Sequence, residues 1–126
     1  MERTQLILIL LAAAALIFVV FQARGGTAQT SGADIGALVR DGARVVDVRT
    51  PAEYSADHYL DAINVPLQQL PRRIADVGRR DEPIVIYCAS GRRSAAAVSM
   101  LRDAGYTNVH DGGGLGTFRR VANAAR

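Results

Sequence analysis

The sequence predicts an α/β fold: a small central parallel sheet flanked by helices on both faces, preceded by an N-terminal hydrophobic helix. Three observations predict it. The short runs Val45-Val46-Asp47-Val48 and Ile84-Val85-Ile86-Tyr87 are too continuously apolar for strands with one wet face. Segments with apolar residues at three- and four-residue spacing alternate with them, the order expected of strand–helix–strand units. After its first 28 residues the chain keeps about 100, enough for one small core of this kind.

The chain opens with a short polar stretch, Met1–Gln5, and then sixteen unbroken apolar residues, Leu6–Phe21. Apolar on every side and followed by a small-residue linker, this stretch is not a helix of the globular core. Gly26-Thr27-Ala28 offers the small residues of a signal-peptidase site, so one reading is a cleaved signal peptide. The other is an uncleaved anchor, although sixteen residues span roughly 24 Å against a hydrocarbon core of about 30 Å. Arg3 before the stretch and Arg24 after it leave orientation nearly balanced. The expected organisation is a signal peptide or membrane anchor with linker over 1–28 and the folded domain over 29–126. The expected location is periplasmic, secreted or tethered to the inner membrane, with a cytoplasm-facing tether as the alternative. Membrane contact, if the segment is retained, runs through Leu6–Phe21.

Ile35, Leu38 and Val39 are spaced as a helix over Asp34–Arg40, closed at Asp41-Gly42, where Gly42 suits a left-handed cap. Val45–Val48 is a buried strand. Pro51 opens a helical turn, where its missing N–H costs nothing. Ala62–Val65 is a short apolar run ended by Pro66. Leu67, Leu70, Ile74 and Val77 predict one helix face over Leu67–Val77. Asp81-Glu82-Pro83 is a turn, and Ile84–Tyr87 is the most strand-like stretch of the chain. Ser94–Ala104 is a helix closed by Gly105, Tyr106–His110 returns to a strand, Asp111–Gly114 reads as a glycine turn, and Leu115–Ala125 is a last helix.

Charge excludes one function class. Fifteen basic residues, all arginine, stand against twelve acidic ones for a net charge of +3. The arginines are interspersed with acids and form no basic stripe, so no nucleic-acid partner is expected. Cys88 is the only cysteine, which rules out an intrachain disulfide.

Cys88 stands where Ile84–Tyr87 stops and a helix is about to begin, at the end of a sheet where open α/β folds bind ligands. The helix start presents unpaired N–H groups and positive dipole character, and Gly91 lets the chain curl them inward. Such a loop, Ala89-Ser90-Gly91-Arg92-Arg93-Ser94, is an anion cradle, and a thiol within it should ionise below about 8.5. Arg92 and Arg93 add charge, one toward the pocket and one toward solvent. Ser94 either caps the helix or donates into the loop. Against this stands the common fate of a free cysteine as a small buried hydrophobe. The glycine and arginines that follow make poor core and good anion chemistry. A working nucleophile is further expected to lie open to solvent, and a sulfur packed away from it would overturn the assignment.

Val46-Asp47-Val48-Arg49 with Glu53-Tyr54, then His58, then Ala62-Ile63-Asn64-Val65-Pro66, then Tyr87-Cys88-Ala89-Ser90-Gly91-Arg92-Arg93-Ser94, resembles the rhodanese homology domain from about Ser31 to Phe118. The chain is most similar to small exported single-domain sulfurtransferases of the phage shock protein E type, including the Gly113-Gly114-Leu115 ending. The resemblance implies sulfur transfer. The cysteine matching Cys88 attacks the outer sulfur of a donor such as thiosulfate, sulfite leaves, and a thiol or cyanide takes the sulfur from the persulfide. Arg93 matches the arginine of the family's C-x-x-G-x-R-S pattern and would position the anionic donor. Asp47 and Arg49 belong to the other signature and are expected to support the site. Arg49 and Glu53, four apart, are expected to pair across the turn at Pro51 as scaffold. His58 is expected to order a connection, and neither a metal nor a cofactor is implied. The expected unit is a monomeric domain.

The chain also departs from the family pattern. Asp61 stands where glycine is common, and aspartate tolerates a left-handed backbone better than most residues. Ala89 replaces a frequent arginine at the mouth, and Phe118 replaces a tryptophan in packing. A cysteine phosphatase would need arginine six residues after the cysteine, where this chain has Ser94, and its anion loop would be one residue longer. A non-enzymatic or accessory module, relaying sulfur or sensing oxidants with a protein partner, is the alternative from another class.

Overall fold

The computed structural model describes residues 2–24 and 30–126. Helix α1, Arg3–Arg24, carries the apolar stretch. Its large side chains from Leu6 to Ile17 are 47–69% exposed and join no core. Among the described residues, no helix is long and apolar enough to cross a membrane. The Gly26-Thr27-Ala28 stretch lies outside the described residues.

The domain alternates α2 (Gly32–Arg40), β1 (Arg44–Asp47), α3 (Pro51–Ala56), β2 (Ile63–Asn64), β3 (Ile84–Cys88), α4 (Arg92–Asp103), β4 (Val109–Gly114) and α5 (Leu115–Ala124). The four strands are parallel in the order β2-β1-β3-β4. Strand side chains alternate between faces, which sorts the core into two layers. Val46, Ile84, Ile86 and Cys88 pack under Ala97, Val98 and Leu101 of α4. Val45, Val85 and Tyr87 pack on the other side under Ile35 of α2 and Phe118 and Ala122 of α5. Phe118 is fully buried, its ring stacked 5.0 Å from Tyr87 and edge-on to Tyr59 at 4.9 Å, so it fills a packing role as expected.

Local chemistry sets the boundaries. Ser31 caps α2 by accepting from the Asp34 N–H. Thr50 and Glu53 form a reciprocal capping box around Pro51 at the start of α3. Asp61 is left-handed, φ 68°, so aspartate keeps the turn that glycine makes elsewhere.

Three sequence expectations need correction. Leu67–Val77 is not one helix but two short 3₁₀ turns, Leu67–Gln69 and Ile74–Val77. Pro71 falls between them and has no N–H to continue the ladder. The predicted apolar face survives, since Leu70 and Val77 are buried and Leu67 and Ile74 pack beside them. The last strand begins at Val109, not Tyr106, and runs through Asp111–Gly114 where a turn was expected. Gly112 and Gly114 are a matter of space, and Gly113 of a left-handed backbone with φ 76°. A Cβ on Gly112 would lie 2.9 Å from the Phe118 ring, and one on Gly114 would lie 2.6 Å from the Ala89 carbonyl oxygen. The register with β3 shifts at this point, leaving Gly112 as a bulge. Finally, α4 starts at Arg92, two residues before the predicted Ser94.

Candidate active site

The strand order reverses direction between β1 and β3, because β2 lies outside β1 and β4 lies outside β3. In open parallel sheets the carboxyl ends of two such strands flank the ligand crevice. The segment after β1 carries Arg49 and Glu53. The segment after β3 carries the Cys88 loop. Residues some forty positions apart thus arrive at one place.

Cys88 is the last residue of β3. Gly91 follows as the N-cap of α4 with φ 98°, a left-handed conformation that favours glycine, and no side chain caps that helix. Its first N–H groups are therefore free to turn on the sulfur. The Gly91 N–H donates to Cys88 Sγ at 2.9 Å. Ser94 Oγ lies 3.5 Å from Sγ and donates to the Gly91 carbonyl at 3.0 Å, so Ser94 braces the loop from within and does not cap the helix. Burial pushes the thiol upward, but the Ser94 hydroxyl and the backbone N–H groups of Ser94, Gly91 and Ser90 outweigh it. The net direction is below the ordinary thiol value.

The expectation of an open thiol is not met. Cys88 is 0% exposed. β3 is the inner strand at that point, paired with Gly114 of β4, and the loop folds back over the sulfur. The two residues that follow the cysteine, Ala89 and Ser90, are themselves exposed. Cys88 lies one loop beneath the surface. It carries hydrogen bonds that a purely apolar packing role does not require.

The two arginines are not equivalent. Arg92 is exposed and, among the described residues, has no ion-pair or hydrogen-bond partner. Arg93 is half-buried and binds Glu53 through both carboxylate oxygens, Nη1–Oε1 at 2.7 Å and Nη2–Oε2 at 3.0 Å. This corrects the expected Arg49–Glu53 pair. Glu53 turns to the cysteine loop, and Arg49 turns the other way. Arg93 and the Thr50 cap together hold the Glu53 carboxyl down to about 2, well below the usual carboxylate range. The Glu53 hydrogen bonds leave the Arg93 guanidinium more basic than usual, against a smaller opposing effect of burial.

Asp47 and Arg49 form a buried clasp beside the site. Arg49 Nη2 donates to Asp47 Oδ2 at 2.7 Å, its Nε bridges both carboxylate oxygens, and its backbone N–H donates to Oδ1 at 2.8 Å. Nη2 also donates to the Asp57 carbonyl, and the guanidinium lies 5.6 Å from the Tyr87 ring centre. Burial weakens the Arg49 charge, but Asp47 more than offsets it, leaving the guanidinium more basic than usual. Neither residue hydrogen-bonds to Cys88, so their support of the site is through the scaffold. His58 stacks on Tyr54 at 3.8 Å and its Nδ1 meets the Tyr54 carbonyl at 2.8 Å, ordering the exit of α3. Glu53 is the site residue that the sequence reading placed wrongly. Its signal, the pattern Thr50-Pro51-Ala52-Glu53 of a capping box, reveals the local hydrogen bonds but not the partner forty residues away.

Comparison with known proteins supplies relatives for this arrangement. The rhodanese-like domain signature covers residues 32–114. Thiosulfate sulfurtransferase PspE of Escherichia coli is 41% identical over 71 residues, 56% of this chain and 68% of that protein. A sulfurtransferase of Allochromatium vinosum is 40% identical over 65 residues, 52% of this chain and 60% of that protein. A solved rhodanese with anions from E. coli superposes with a TM-score of 0.57 at 38% identity, covering 60% of this chain and 91% of the other.

Proposed function

The chain belongs to the rhodanese-like domain family, and on that premise we propose that it moves sulfane sulfur through a persulfide on Cys88. The observation that carries the reading is the Gly91 N–H at 2.9 Å from Cys88 Sγ, at the junction of β3 and α4. A donor aimed at the sulfur from the loop favours its anionic form, and the start of α4 adds dipole of the same sign. The thiolate is the nucleophile. It attacks the outer sulfur of thiosulfate, a new S–S bond forms, and sulfite departs with the electron pair of the old one. The persulfide retains the negative charge, which the same N–H groups hold. A thiol or cyanide then attacks the outer sulfur and returns Cys88 as thiolate. Arg93 is placed beside the loop to meet the donor, its charge shared with Glu53. Asp47 and Arg49 keep β1 and its exit in register with the loop.

The loop is sized for sulfur. Ser94 occupies the sixth position after the cysteine, inside the helix and fully buried, where phosphoryl chemistry would call for an arginine. Access of the donor to Cys88 requires a local motion of the exposed Ala89-Ser90 stretch, with the Gly91 N–H kept on the sulfur. We further propose that the domain, residues 29–126, works outside the cytoplasm and that residues 1–28 deliver it there. The exposed, uniformly apolar Leu6–Ile17 face supports that reading.

The test is Cys88→Ser assayed with thiosulfate and cyanide. Thiocyanate formation should vanish while the circular-dichroism spectrum and unfolding midpoint stay close to those of the parent. Intact-mass measurement of the parent after thiosulfate should show one added sulfur on Cys88, removed by cyanide. Turnover at the parental rate in Cys88→Ser, or a thiol left unmodified by thiosulfate and by small-molecule persulfides, overturns the proposal.

A further inference from the structure

Arg93 and Glu53 carry an implication beyond the transfer chemistry, although it rests on Cys88 being the reacting atom. Arg93 stands on the first turn of α4, directly before Ser94, whose Oγ lies 3.5 Å from the sulfur, yet its two terminal nitrogens are already engaged by one carboxylate. Glu53 cannot easily swing aside, because Oε1 also accepts from the Thr50 N–H at 3.3 Å and the Thr50 hydroxyl at 3.1 Å. The pair sits at the rim, with side chains 33% and 34% exposed, where an incoming molecule meets it. Ala89, next to the cysteine, adds no charge of its own. The mouth over the thiol therefore presents a neutralised arginine with a fixed negative charge beside it.

We infer that Glu53 is a specificity-determining residue that discriminates sulfur donors by charge, disfavouring dianions and favouring donors of low net charge such as the persulfides of small thiols. A dianion approaching Arg93 meets Glu53 beside it, equally exposed, and must share the guanidinium with it. A neutral donor meets no such opposition. The backbone cradle on the sulfur is unaffected by either, so charge selection and thiolate stabilisation reside in different groups.

Alkylation of the single cysteine reads this without requiring sulfur transfer. The full chain is treated with iodoacetate, an anion, and with iodoacetamide, its neutral counterpart of similar size, and the ratio of the two rates is compared among variants. Glu53→Gln removes the charge and keeps a side chain that can complete the capping box. Glu53→Ala removes both. The ratio should rise about fivefold at low salt in both variants and converge toward the parental value at high salt, as expected for one charge at a partly solvated site. An unchanged ratio in Glu53→Gln overturns the inference. A rise confined to Glu53→Ala also overturns it, by assigning Glu53 to the cap alone. A thiol that neither reagent reaches overturns this inference together with the proposed function, whereas normal alkylation with an unchanged ratio leaves the proposed function standing.

Discussion

Two carboxylate–arginine pairs lie within a few residues of one another along the β1 exit, and they do different work. Asp47–Arg49 is sealed: the aspartate side chain is 0% and the arginine 8% exposed. Glu53–Arg93 is at the rim and joins segments forty positions apart. The chemistry of the ions is the same, so depth decides the role. A buried pair that loses one partner leaves a charge in a dry site, a cost water cannot offset. A rim pair is screened by solvent and contributes little to stability, which leaves its charges available for recognition. The first pair holds the shape of the crevice. The second sets what enters it.

Breaking the pairs one at a time tests that contrast, and the sealed pair should give the larger effect. Arg49→Ala should cost about 3–5 kcal/mol, since it strands the Asp47 carboxylate. In a domain of this size that lowers the unfolding midpoint by roughly 15 °C or more, measured by circular dichroism. A loss within about 1 kcal/mol would show that the clasp is not structural. Arg93→Ala should cost at most about 1 kcal/mol and should instead raise the KM for thiosulfate. Severe unfolding with unchanged kinetics would reverse the assignment of roles. The smallest effect concerns pH. Glu53 titrates at about 2 in the folded protein, against 4.5 ordinarily. A carboxyl depressed by folding contributes stability that is present above its unfolded value and lost as pH falls through its folded one. The stability difference between the parent and Arg93→Ala should therefore hold near neutrality and disappear between pH 4.5 and about 2. A difference that persists at the acid end would mean that the pair is not its source.

The two central strands were readable in the sequence because buried parallel strands are nearly continuous apolar runs: Ile84–Cys88 has no polar residue and Val45–Val48 only Asp47. Helices α2, α4 and α5 were readable from apolar spacing and from the glycines at their ends. The segment Leu67–Val77 misled because spacing alone does not register Pro71, whose missing N–H splits the helix while leaving its apolar residues in place. The glycines of 112–114 misled for the opposite reason. They look like turn chemistry, and Gly113 does take a left-handed φ of 76°, but at Gly112 and Gly114 the Phe118 ring and the Ala89 carbonyl claim the space a side chain would fill, a fact about neighbours and not about the segment itself. Cys88 and its loop were legible from residue type and order. Its burial was not, because it depends on how the loop closes. The Glu53–Arg93 pair required the strand order, which no local pattern in either segment contains.

The central claim is that Cys88 is a stabilised thiolate despite being buried. Iodoacetamide alkylation of this single cysteine as a function of pH separates the two properties, because the plateau rate reports access and the midpoint reports charge. The midpoint should lie below the value of about 8.5 for a free thiol and should move upward in Ser94→Ala. A midpoint at or above that value in the parent would show that burial has prevailed over the Ser94 hydroxyl and the N–H groups of the loop, and would contradict the account.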